Sequence, residues 1–157
     1  MAEARATAAR IAAERGLQLT ELRAQVFEII LRQHRPVGAY DVLSALAQAR
    51  GQGRGRVAPT TVYRTLDFLL SAGLIHRIDS LNAYVACFAP GGAHPAAFLI
   101  CETCGTVKEA PSSGLRTEAE RTARASGFAV TRSVLEILGQ CARCSAATQA
   151  TTPPSRA

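Results

Sequence analysis

The stretch Pro59-Thr-Thr-Val-Tyr-Arg-Thr-Leu-Asp-Phe-Leu-Leu-Ser-Ala-Gly73 decides how the first half of this chain is read. Its apolar residues Val62, Leu66, Leu69 and Leu70 recur three or four apart, so on a helix they form one stripe. Pro59 suits the first helical position, where its missing N–H would have had no partner, and Gly73 stands where a C-terminal cap belongs. With the stripe turned inward, Thr60, Thr61, Tyr63 and Arg64 occupy the outer surface of the N-terminal end.

Working outward, three more segments carry helical patterning. Ala4 to Arg15 has high helix propensity and stops at Gly16. Thr20 is a candidate N-cap for Glu21 to Gln33, with Leu22, Val26, Ile29 and Ile30 on one face, until Pro36 and Gly38 break the chain. Ala39 to Arg50 places Val42, Leu43 and Leu46 inside and gives way to the flexible basic loop Gly51 to Arg56. After Leu74 the period shortens to two: Ile75, Arg77 and Asp79, then Ala83 to Phe88, alternate around Ser80-Leu-Asn82 as a hairpin. Helices followed by a hairpin describe a winged helix over residues 1–88.

Ala89-Pro-Gly-Gly-Ala93 opens a hinge linker read over residues 89–94. Beyond it Phe98 to Cys101, Thr106 to Glu109 and Phe128 to Leu138 pattern as strands, with a helix from Ser113 to Ser126, a small α/β unit over residues 95–146. The tail, 147–157, is rich in Ala, Thr and Pro, shows no period and reads as disordered. The fold class expected is α+β.

Eighteen Lys and Arg against twelve Asp and Glu give a net charge of +6 and so favour a polyanionic partner. The excess leans to residues 1–80, which hold eleven Arg and seven acids, so nucleic acid would bind there. Charges stand among the first ten residues, where a signal peptide needs its apolar stretch. No run approaches the roughly 18 apolar residues of a membrane span. A cytoplasmic protein without membrane partners is therefore expected. In a reducing compartment an odd set of five cysteines points to ligands or reactive thiols rather than disulfides.

Cys101-Glu-Thr-Cys104 and Cys141-Ala-Arg-Cys144 are two Cys-x-x-Cys units, the spacing at which two thiolates on one turn reach a tetrahedral Zn²⁺ at about 2.3 Å. Together they make a four-cysteine site whose ion would staple the ends of a domain too small to be comfortable alone. The competing reading, a redox pair, needs its first cysteine at a helix start; here Cys104 runs into Gly105-Thr-Val107, which reads as strand.

Removing these four leaves Cys87 at the end of the wing, His76 in its first strand, His94 beyond the linker, and Glu109 at the end of the strand after Cys104. Two neutral imidazoles, a thiolate and a carboxylate form a tetrahedral set that cancels the charge of Zn²⁺. Each alone also fits a blander role, a core or surface histidine or a small buried thiol. His34, at a helix end where an imidazole suits the dipole, is left out.

On the outer face of helix 59–72, threonine hydroxyls and first-turn amides suit phosphates, Arg64 suits guanine O6 and N7, and the Tyr63 ring can pack on a thymine methyl. A solvated helix face is the competing reading; the basic loop and the following wing favour double-stranded DNA.

Pro59-Thr-Thr-Val-Tyr-Arg-Thr-Leu66, the wing, Cys-x-x-Cys-Gly at 101–105 and the second Cys-x-x-Cys together resemble the ferric uptake regulator family over about residues 7–146. Ala39-Tyr-Asp41, Tyr63 to Leu70, Tyr84-Val-Ala-Cys87 and Cys104-Gly-Thr-Val-Lys-Glu109 are most similar to its zinc uptake regulator branch. The resemblance implies a winged helix-turn-helix DNA-binding domain followed by a dimerisation domain, in a homodimeric, zinc-dependent repressor of zinc uptake genes. It implies two Zn²⁺ per chain: a structural ion on Cys101, Cys104, Cys141 and Cys144, and a regulatory ion on His76, Cys87, His94 and Glu109. Its base-contacting residues fall on Tyr63 and Arg64, and Tyr40 matches a residue expected at the DNA backbone. The run of histidines that iron-sensing relatives carry before Cys101 is missing from His94-Pro-Ala-Ala-Phe-Leu-Ile-Cys101, which weakens an iron or peroxide signal.

An enzyme, either a thiol oxidoreductase or a zinc hydrolase, is the rival class. No His-Glu-x-x-His, nucleophile elbow or phosphate loop is present, and four protein ligands leave no open position for water or a small organic substrate.

Overall fold

A computed structural model of the chain describes residues 2–33, 35–51, 57–90 and 96–151. It divides into two compact units, residues 1–93 and 94–157. His34, most of the basic loop and residues 91–95 lie outside the described residues.

The first unit carries α1 (Ala2–Glu14), α2 (Glu21–Arg32), β1 (Val37–Gly38), α3 (Ala39–Arg50), α4 (Pro59–Ser71), β2 (Ile75–Ile78) and β3 (Ala83–Ala86). Its core is one cluster: Ile11 of α1, Val26 and Ile30 of α2, Val42 and Leu46 of α3, and Val62, Leu66 and Leu69 of α4, closed by Leu74, Ile75 and Tyr84. The α2, α3 and α4 members belong to the stripes expected from helical spacing, whose other members Leu22, Ile29, Leu43 and Leu70 pack partly buried against the cluster, while Ile11 comes from a helix read on propensity alone. The α4 helix begins at Pro59 with Ala58 as N-cap, and Gly73 leaves it at φ +64. There the guanidinium of Arg15 presses so close that an added Cβ would meet it at 2.8 Å, which is why a glycine fits the position. Arg15 Nη1 also donates to the carbonyl of Ser71, tying α1 to the end of α4.

The wing is a three-stranded sheet in the order β1-β3-β2, with one strand more than the hairpin predicted. Val37 pairs with Tyr84 and Gly38 with Ala83, while β2 pairs antiparallel with β3 from Ile75↔Ala86 to Ile78↔Ala83. Two residues between Pro36 and a helix carry no period, so β1 left no signature in the sequence. The Gly38 amide donates to Asp41 Oδ2, capping α3 across the strand–helix junction.

The second unit runs β4 (Ala96–Cys101), β5 (Val107–Pro111), α5 (Ser113–Ala125), β6 (Glu136–Gly139) and α6 (Ala142–Thr151). Its sheet has the order β5-β4-β6, with β5 antiparallel and β6 parallel to the central strand. The buried set is thin: Ala97, Phe98, Ile100, Cys101, Val107, Ser112 and Cys144, with none from α5.

Two expectations change here. The strand read over Phe128 to Leu138 shortens to Glu136–Gly139, because pairing with β4 starts only where the Phe98 amide donates to the Leu135 carbonyl. The alternation upstream leaves Phe128 and Val134 exposed. The tail read as disordered from residue 147 is helical as far as Thr151, since α6 grows from the second Cys-x-x-Cys through alanines of high propensity. No helix among the described residues is long and apolar enough to cross a membrane.

Candidate nucleic-acid interface and metal centres

The inward turn of Val62, Leu66 and Leu69 fixes what α4 shows to solvent. Thr60, Tyr63 and Arg64 are exposed, Tyr63 by 43%, while Thr61 is half-buried. Thr65 faces the core and spends its hydroxyl on the Thr61 carbonyl at 2.8 Å. The outer N-terminal surface thus holds a phenol, a guanidinium and a hydroxyl beside the positive end of a helix dipole, a combination suited to a groove edged with phosphates. Tyr40, in the first turn of α3, is 72% exposed, an unusual setting for a large ring without a partner. One contact escaped the sequence reading: the Arg23 guanidinium of α2 lies 3.6 Å over the Phe68 ring and bonds the Gln18 carbonyl, locking the helix before α3 to the flank of α4.

In the second unit the two Cys-x-x-Cys pairs converge. Cys101, Cys104, Cys141 and Cys144 place one sulfur each within 4.8 Å of the others, and Cys104 Sγ stands 3.8 Å from Cys141 Sγ. The edge of a tetrahedron with arms of about 2.3 Å is itself ~3.8 Å, so the cage has the size of a zinc centre.

Local chain geometry builds it. The Gly105 amide returns to the Cys101 carbonyl at 2.8 Å with Gly105 at φ +69, and the Cys101 amide then bonds the Thr106 carbonyl. The second pair opens α6, the amides of Cys144 and Ser145 both bonding the Cys141 carbonyl at 2.9 Å. A hydrogen bond from the Cys141 amide to Cys101 Sγ, 3.3 Å, joins the two turns.

The thiols are held unequally. The Thr106 hydroxyl, 3.2 Å from Cys104 Sγ, and the Thr106 amide pull Cys104 down to about 5. Cys101 is lowered, first by the Cys141 amide, whereas hydrogen bonding with Cys141 and then burial push Cys144 up to about 12. A cation arriving here meets one sulfur already anionic and another that must give up its proton. The redox reading asked for a cysteine pair at a helix start, and the second pair does open α6; what sets it apart is the two further sulfurs facing it.

Of the four remaining candidates, the first unit brings two together. His76, half-buried on β2, and Cys87, buried just after β3, have ligand atoms within 4.8 Å of each other. His76 is paired with Val85, so Cys87, two residues on, shares its side of the sheet. Glu109 belongs to β5 of the second unit, half-buried and paired with Phe98. His94 lies outside the described residues.

Comparison with known proteins follows the same lines. The profile of the ferric uptake regulator family matches residues 14–138. The zinc uptake regulation protein of Escherichia coli (strain K12) is 39% identical over 140 residues, 88% of this chain and 80% of its own. The crystal structure of holo XcZur superposes with a TM-score of 0.80 at 39% identity, covering 92% of this chain and 98% of that one. A zinc uptake regulator complexed with zinc and DNA gives 0.83 at 37% identity, over 94% and 96% of the two chains.

Proposed function

The chain belongs to the ferric uptake regulator family, and we propose that within it this protein is a zinc-responsive transcriptional repressor that binds operator DNA as a homodimer. The observation that carries the reading is the exposed N-terminal face of α4, where Tyr63, Arg64 and Thr60 stand free of the core that Val62, Leu66 and Leu69 complete. A recognition helix needs that division: a rigid inner face and a polar outer end that enters the major groove. Thr61 and Tyr40 add contacts at the phosphates.

Two zinc ions per chain follow from the donor sets. Cys101, Cys104, Cys141 and Cys144 hold the structural one, in support of a unit whose buried set is too thin to stand unaided. His76, Cys87, His94 and Glu109 hold the regulatory one; the nearness of His76 to Cys87, and a thiolate among the donors, favour Zn²⁺ over oxygen-seeking Mn²⁺. Zinc supplies a shared bond among ligands from both units, which favours only arrangements in which all four reach it. Moving such an equilibrium from 1:99 to 99:1 takes about 5.5 kcal/mol of differential affinity, within the range that four-ligand zinc sites provide.

Dimerisation is assigned to the second unit. Leu99, Phe128, Val134, Ile137 and Leu138 are 40–71% exposed, and α5 buries nothing, so a second copy has apolar surface to cover. We place the protein in the cytoplasm, with genes of zinc uptake as its targets, and give it no enzymatic role.

Binding of fluorescent operator DNA at fixed salt, with Zn²⁺, Fe²⁺ and Mn²⁺ compared, tests the function. Zinc should give the tightest complex at the lowest free metal. A complex formed equally well by metal-stripped protein would refute it.

A further inference from the structure

Four thiolates around one Zn²⁺ leave two negative charges uncancelled, beside sulfurs of which Cys101 and Cys144 are buried. Such a centre needs donors aimed at sulfur from outside the coordination shell. Backbone and side chain both supply them. The Cys141 amide reaches Cys101 Sγ at 3.3 Å. The Thr106 hydroxyl lies 3.2 Å from Cys104 Sγ and is the donor once that sulfur is a thiolate. That hydroxyl meets Cys104, one of the two less buried sulfurs.

Taking the four-cysteine cluster as a zinc centre, we propose that Thr106 is a positioning residue for it: its hydroxyl holds Cys104 Sγ at the corner of the cage and takes up part of the surplus charge. Thr106 sits between Gly105, whose φ of +69 turns the chain back, and buried Val107 at the start of β5. The backbone that carries the hydroxyl is thereby held on both sides, and a β-branched side chain has few rotamers to choose from. The metal stays where Cys104 stays, so the exchange rate of this ion is set by a residue that never touches it. Outer partners of this kind change metal affinity by roughly 10- to 100-fold when removed.

The experiment uses the full-length zinc protein and the variants Thr106→Val, Thr106→Ala and Thr106→Ser. Zinc loss to a chromophoric chelator reports how firmly the ion is held. The sulfur-to-metal charge-transfer band of the Co²⁺-substituted proteins reports donor strength at sulfur, which a packing role would not move. Thr106→Val and Thr106→Ala should release zinc roughly 10- to 100-fold faster and shift the Co²⁺ band to longer wavelength, and Thr106→Ser should behave as wild type. Unchanged release and band in Thr106→Val would overturn the proposal while leaving the zinc centre standing. If that variant fails to fold, unchanged release and band in Thr106→Ala overturn it instead. Wild-type protein without tightly held metal would remove the zinc centre itself.

Discussion

The amide of Cys87 donates to the carbonyl of Leu74 at 3.0 Å, adding one rung to the β2–β3 ladder beyond its last pair, Ile75 and Ala86. Backbone alone fixes that rung. The Cys87 side chain is therefore positioned by the hairpin, on the side of the sheet that carries His76.

Exchanging the thiol for a hydroxyl leaves the rung in place and removes a soft ligand. Cys87→Ser should keep its helical circular dichroism, lose one of two zinc ions to mild chelation and lose tight operator binding. Native mass spectrometry, paired with DNA titration, checks it. A Cys87→Ser protein that still represses in response to zinc would show that the regulatory site is elsewhere.

Cys101→Ser should act differently. Cys101 is buried, its amide and carbonyl tie the first turn together, and its sulfur receives the Cys141 amide. With only Ala97, Phe98, Ile100 and Val107 as aliphatic or aromatic core beside it among the described residues, the second unit should lose its order along with its metal. Size-exclusion chromatography with light scattering should show a failing dimer, while the first unit keeps its cooperative melt.

Arg64→Ala tests the reading end of α4. The residue is exposed and alanine suits a helix, so stability and zinc content should not change. Operator affinity should fall by about 1–3 kcal/mol, with relaxed discrimination at one base pair. A loss that is uniform across sequences, with a shallower salt dependence, would move Arg64 to the phosphates.

Tyr84, 5% exposed at the centre of the wing sheet, has its phenol raised above the ordinary value of 10, chiefly by burial. The folded chain holds that proton more tightly than the unfolded one does. The resulting stabilisation is complete below pH 10 and disappears as the pH climbs through the folded value. Urea melts between pH 8 and 11 should show an alkaline decline that Tyr84→Phe reduces.

Legibility in the sequence followed the strength of the local signal. The α4 stripe and its two caps were readable because a proline, four apolar residues and a glycine all agree. The four-cysteine cage was readable because thiol spacing is nearly unmistakable. Short or borrowed order was not: β1 has two residues, and Phe128 to Val134 alternates like a strand without a neighbour among the described residues to pair with. Arg23 over Phe68 and Thr106 beside Cys104 join residues whose types are common and whose meeting depends on the finished fold. His76 and Cys87 fell between these extremes; composition singled them out, and hairpin register brought them together.

The cage draws its second half from a helix that starts 41 residues after Cys101. During synthesis the first unit has every core residue in hand by Cys87, whereas the clasp must wait for Cys144. At 5–20 residues per second that interval is roughly 3 to 11 s. Each newborn copy thus passes through a stage with a finished reading head and an open clasp, exposing loose thiols and unpaired strands until an ion arrives. A cell short of metal would keep its fresh copies at that stage.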